Sequence, residues 1–284
     1  MSAAQSFCAL PSDVKQSIPV VQNGQGFTRG FIGIGKESGS ADRIEVKEAF
    51  SYGYEWPEKK PSFENGLQGD NVWPGEDVFD PAHRQAMNDF YGQMVKASRA
   101  VSKRLSETLY GDANILDSYC HKGDTISIMR LFHYFPYKHF GAPPPEGFEF
   151  IGSSPHTDWG FLTLILQDEV GGLQFLHKGK WIDVPYVPDT IVVNAGDYLS
   201  LTTNGQCVSP VHRVIADDRE RYSMVFFFYP DFDAVLPSVS NTRIGGNRGE
   251  GSDDAFNNLL DGTVTKTDAC FGEYIMAKWA GVQR

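Results

Sequence analysis

The sequence is poor in cysteine, has no excess of basic charge and contains no long hydrophobic run. Each shortage excludes something. The four cysteines, Cys8, Cys120, Cys207 and Cys270, are scattered and form no Cys-x-x-Cys pair. They read as reduced, mostly buried thiols of a cytoplasmic protein. A net charge of −11 argues against nucleic acid or an anionic membrane surface as the main partner. No run approaches the ~20 apolar residues needed to span a bilayer. The first residues, Met1 to Cys8, lack the basic start and apolar core of a signal peptide. No repeat or low-complexity tract is present. The glycine-rich stretch 24–35 has no phosphate-loop spacing and no following Gly-Lys-Ser/Thr. It reads as a bent loop or irregular strand.

What is present suits a globular domain. Apolar residues make up 41% and aromatics 13% of 284 residues, ample for a core. Residues 1 to about 75 have weak periodicity. Asp80-Pro81 offers an N-cap with proline at N1. Met87, Phe90, Met94, Val101, Leu105 and Leu109 then recur at helical spacing up to Gly111, a C-cap. This predicts one helix of ~45 Å. Shorter helices are expected over 256–260 and 268–280.

Between them lie short strand patterns. They cover 125–131, 161–166, 173–175, 181–184, 190–194, 198–202, 211–215 and 222–229, separated by turn signals such as Gly171-Gly172 and Asn204-Gly205. The expected fold is α+β, a double-stranded β-helix or jelly-roll core flanked by helices. It forms a single domain over 1–284: a mainly helical and loop part at 1–124, the jelly-roll core at 125–230, and a C-terminal loop with helices at 231–284.

Two constellations carry chemistry. His156 and Asp158 are two apart, so on a strand both point to one face, and His212 opens another strand pattern. Two imidazoles and one carboxylate make the facial triad of non-haem Fe(II) oxygenases. The other histidines, 83, 121, 133, 139 and 177, have no carboxylate two residues away. Arg221 and Ser223 also share a strand face, beside the apolar run 224–228. A guanidinium fork with a hydroxyl matches a carboxylate, and a buried arginine needs an anion.

His156-Thr157-Asp158-Trp159-Gly160 with Leu162-Thr163-Leu164 resembles a characteristic segment of the isopenicillin N synthase-like superfamily of 2-oxoglutarate/Fe(II) dioxygenases. Gly171-Gly172-Leu173-Gln174, Val192-Val193-Asn194, Gly196-Asp197, His212-Arg213-Val214, Arg221-Tyr222-Ser223 and Phe271-Gly272-Glu273-Tyr274 continue the resemblance. So does Met129-Arg130-Leu131 with His133-Tyr134 and Pro136. The resemblance implies that His156, Asp158 and His212 bind Fe(II). Arg221, Ser223 and Tyr134 would hold 2-oxoglutarate, and O2 would be the oxidant. The products would be succinate, CO2 and a substrate that is hydroxylated, or else desaturated or cyclised. The substrate would be a small apolar metabolite of specialised metabolism, in a pocket drawn from Trp159, Phe161, Phe228, Phe140, Tyr54 and Trp73. Two alternatives stay open: an iron oxidase of the same fold that does not use 2-oxoglutarate, and a non-catalytic member that binds a small ligand.

The pattern departs from the family at several points. Phe132 stands for a usual asparagine, Phe135 for a frequent proline, and Leu201 where an aromatic is common. Phe7 to Pro11 resembles a segment that in the family follows some tens of residues. A missing first strand and helix would expose a sheet edge. The expected cover is a second copy of the chain, giving a homo-oligomer, or else a rearranged N-terminal loop.

Overall fold

The computed structural model describes residues 1–23, 27–37, 42–60, 62–235 and 270–280. Two short helices, α1 (Ser2–Cys8) and α2 (Ser12–Ser17), precede four strands, β1 (Val21–Asn23), β2 (Phe27–Ile32), β3 (Arg43–Glu45) and β4 (Lys47–Gly53). Mainly helix and loop was expected before residue 125; β2 lies in the stretch read as a bent loop or irregular strand, and the other three are strands that the sequence pattern does not show. β4 is buried at six of its seven positions, so it lacks the polar alternation by which a half-exposed strand is recognised.

Helix α3 (Pro81–Tyr110) follows the predicted span. The Asp80 carboxylate accepts from Ala82 N at 2.8 Å, and Gly111 ends the helix at φ 74°. The buried face is Met87, Tyr91, Met94, Ser98, Ser102, Ser106 and Leu109. In its C-terminal half the fully buried positions are serines, while Val101 and Leu105 are partly buried and pack against the same core. The Ser106 hydroxyl is used there: it donates to Asp112 O at 2.5 Å and accepts from Leu116 N at 3.0 Å. That ties α3 to α4 (Asn114–Asp117).

The remaining strands are β5 (Ile128–Tyr134), β6 (Glu149–Ile151), β7 (Ser153–His156), β8 (Leu162–Gln167), β9 (Leu173–His177), β10 (Lys180–Asp183), β11 (Val192–Ala195), β12 (His212–Val214) and β13 (Arg221–Phe228). The larger sheet runs β1-β2-β4-β5-β13-β8-β11, and the smaller runs β10-β9-β12-β7. Both are antiparallel, and β3 pairs β6 in a separate parallel ribbon. Residues of both sheets line one cavity, so it lies between them. This is the expected jelly-roll core. The other face of the larger sheet packs its apolar side chains with α1, α3 and α6 (Phe271–Ala280) in one core cluster.

Residues 198–202 form a helix, α5 (Asp197–Thr202), where a strand was expected. All six of its side chains are buried, so periodicity could not separate the two structures. The turn before it is tight: a Cβ on Gly196 would lie 2.2 Å from Gly160 O. The helix expected over 256–260 lies outside the described residues. No helix among the described residues is long and apolar enough to cross a membrane.

Candidate active site

His156 is the last residue of β7, and Asp158 stands just beyond it, off the strand. Of the pair, His156 alone lies on the strand. Asp158 is aimed by other means. Its carbonyl accepts from Asp197 N at 2.7 Å, and its carboxylate Oδ2 accepts from Asn194 Nδ2 at 2.9 Å. His212 opens β12 and pairs directly across from His156. The imidazole centroids are 4.3 Å apart. His156 Nε2 is 3.8 Å from Asp158 Oδ1, and His212 Nε2 is 3.7 Å from Asp158 Oδ2. One donor atom from each residue lies within 4.8 Å of the other two.

The protonation pattern suits a metal. Nδ1 of His156 faces Ser154 O at 2.7 Å, and Nδ1 of His212 faces Pro210 O at 3.2 Å. A carbonyl only accepts, so each Nδ1 carries the proton and each Nε2 lone pair points to the shared centre. The His156 side chain opens 42% of its surface to the cavity, yet the protein around it dehydrates the ring. That burial, with the His212 imidazole beside it, lowers its pKa, which keeps the neutral, ligating form. Two imidazoles and a carboxylate fit a divalent iron.

Arg221 is 2% exposed. Its Nε donates to Gly171 O, its Nη1 to Ser223 Oγ at 3.3 Å and its Nη2 to Gln167 Oε1 at 3.4 Å. The guanidinium carbon lies 4.6 Å from the centroid of Tyr134, its cross-strand partner on β5. Every one of these contacts is neutral. Among the described residues no carboxylate forms an ion pair with Arg221. A buried cation with only neutral partners is unfavourable until an anion joins it. Arg221, Ser223, Tyr134, His156, Asp158 and His212 all line the same cavity of about 750 Å3.

The aromatic pocket differs from the expectation. Trp159 lines the cavity and meets Trp279 of α6 edge-on at 5.4 Å. Phe161 and Phe228 are fully buried in the core cluster on the other side of the larger sheet. Trp73 packs on Phe50 and Tyr52. Tyr54 meets Trp56, and Phe140 meets Phe150, both away from the cavity. The apolar lining comes instead from Phe132, Ile165, Leu173, Val214, Val225 and Phe227, with Tyr229 and Trp279.

Sequence reasoning missed Arg130, Lys47, Glu45 and Glu37, which also line the cavity. Arg130, Phe132 and Tyr134 are i, i+2 and i+4 on β5, so placing Tyr134 in the site places Arg130 on the same face. Asn194 was also unassigned. Its role depends on a contact 36 residues away in sequence.

Comparisons with known proteins identify the family. Residues 125–230 match the family model of the 2OG-Fe(II) oxygenase superfamily. Residues 1–76 match the model described as non-haem dioxygenase in morphine synthesis N-terminal. A 2-oxoglutarate-dependent dioxygenase of Monascus ruber is 36% identical over 256 residues, covering 87% of this chain and 74% of the relative. Another, from Didymella fabae, is 34% identical and covers 89% and 76%. Among solved structures, a full-length Neurospora crassa protein in complex with alpha-KG superposes with a TM-score of 0.74 at 25% identity, covering 98% of this chain and 80% of that one. The chain belongs to the 2-oxoglutarate/Fe(II) oxygenase superfamily, and it is a non-haem dioxygenase that uses Fe(II), 2-oxoglutarate and O2.

Proposed function

We propose that this oxygenase acts on a small, largely apolar organic metabolite, and that hydroxylation is its default outcome. His156, Asp158 and His212 would hold the iron. Arg221 and Ser223 would bind the distal carboxylate of 2-oxoglutarate, with Tyr134 beside them. The observation that carries this reading is Arg221: a buried guanidinium with no carboxylate partner among the described residues, in the same cavity as the triad.

When bound, iron with the keto acid supplies the O2 activation that releases succinate and CO2. The rest is the work of the chain. Arg221 fixes the co-substrate by charge-assisted hydrogen bonds. Asn194 holds the Asp158 carboxylate, and the Asp197 amide holds its backbone carbonyl. Trp159 and Trp279, with the valine, leucine and isoleucine walls, keep water from the reacting C–H bond and orient it. This wall supports an apolar substrate. The chain is proposed to act in the cytoplasm and as a homo-oligomer, a second copy covering the edge strand β1.

Succinate formation from 2-oxoglutarate should require Fe(II) and rise with the true substrate. His212→Ala should reduce iron content and turnover to background. A fully active His212→Ala variant would end the iron assignment.

A further inference from the structure

Arg130 is one of the charged groups of the cavity wall that the reading above leaves without a role. It is 7% exposed and sits on β5 opposite Val225. The rung it belongs to is Ser51–Arg130–Val225–Ile165. The neighbouring cavity-facing rung contains Phe227 and Thr163. Thr163 pairs with Asn194, whose side chain holds Asp158. Arg130 is therefore one step from the level of the triad. Arg221 is two steps away in the other direction, at the co-substrate end. A molecule lying beside the triad and reaching across the cavity meets Arg130.

The charge around Arg130 is already balanced. Its Nη2 donates to Glu37 Oε2 at 2.7 Å, and its Nε to Ser51 Oγ at 3.1 Å. Two of the five N–H bonds of the guanidinium are thus used among the described residues. Lys47, also in the wall, pairs with Glu45 at 2.5 Å. Lys36 is exposed to solvent. With Arg221 assigned to the co-substrate, each buried cation of the wall has its anion. Among the described residues no buried cation of the wall is left to compensate an added carboxylate, whose entry is therefore unfavourable. A neutral acceptor oxygen would take the remaining N–H donors at no such cost.

We propose that Arg130 is a specificity-determining residue that donates to a neutral carbonyl oxygen of the substrate, while Glu37 cancels its charge, so that the site selects an uncharged carbonyl compound over a carboxylate. This rests on the reading of the triad and Arg221 as the iron and co-substrate sites.

Calorimetric titration of the Fe(II)- and 2-oxoglutarate-loaded protein, without O2, tests it. The probes are 4-hydroxyacetophenone and 4-hydroxybenzoate, a ketone and an acid of similar size. The wild type should bind the ketone at least about tenfold more tightly. Glu37→Gln should shrink that ratio about tenfold, because it leaves Arg130 uncompensated. Arg130→Gln should weaken the ketone about tenfold and leave 2-oxoglutarate affinity within about twofold. Arg130→Lys, which keeps the charge, covers the case in which the glutamine variant does not fold; it should keep the preference for the ketone and bind it more weakly. Equal or tighter binding of the acid by the wild type, no binding of either probe, or an unchanged ratio in Glu37→Gln would overturn the proposal. Failure of the wild type to bind 2-oxoglutarate in the presence of Fe(II) would instead overturn the underlying site assignment.

Discussion

Asp158 shows how much one residue depends on its neighbours. It is 4% exposed, and its position off the end of β7 gives the strand no hold on it. Asn194 Nδ2 and the Asp197 amide supply that hold. Replacing Asn194 by alanine frees the carboxylate to rotate while leaving all three ligands in the sequence. Groups of this kind typically tune metal affinity by about 10- to 100-fold. Competition against a chelator should therefore show Fe(II) affinity falling by about that factor in Asn194→Ala. Unchanged affinity would mean that the backbone alone positions Asp158.

At the scale of elements, α5 places Asp197 at its first position, fully buried, with its Oδ2 accepting from Thr157 Oγ1 at 3.1 Å. Burial pushes this carboxyl up to about 6. The folded state therefore prefers the protonated acid. The associated stability is fully present below the unfolded pKa near 4 and is lost as pH rises through about 6. His156 works in the opposite direction, since its lowered pKa withdraws stability as pH falls below its ordinary value. Asp197→Asn removes only the first effect. Denaturant unfolding of the metal-free protein should show the stability of the asparagine variant, relative to wild type, rising between about pH 4 and 6. A constant difference across that range would contradict the assignment.

Legibility followed the same divide between elements. Helix α3 could be read because both caps and the apolar spacing agree. The strands that carry Arg221, Ser223 and Tyr134 could be read because their neighbours alternate or are apolar. Elements buried on every side could not. β4 and α5 offer no contrast between faces, so one passed for loop and the other for strand. The pocket aromatics show a further limit. Phe227 and Phe228 are adjacent, and only the register against β8 and β5 decides that Phe227 faces the cavity and Phe228 the core.

At the scale of the molecule, the larger sheet ends, among the described residues, on β1, a strand of three residues. An edge presents unpaired backbone groups that favour pairing or cover. The proposed cover is a second copy of this chain. Sedimentation equilibrium should then give a mass at least twice 31.6 kDa at micromolar concentration. A monomer across the accessible range would sink that proposal without touching the active-site assignment.

The central claim is that the triad and Arg221 form one co-substrate site. Calorimetric binding of 2-oxoglutarate to the wild type and to Arg221→Ala, with and without Fe(II) and in the absence of O2, tests it most directly. The account predicts tight binding only with Fe(II), and a loss of roughly thirtyfold or more in Arg221→Ala, from the charge-assisted hydrogen bonds removed. Binding that is indifferent to Fe(II), or equal in the two proteins, would contradict it.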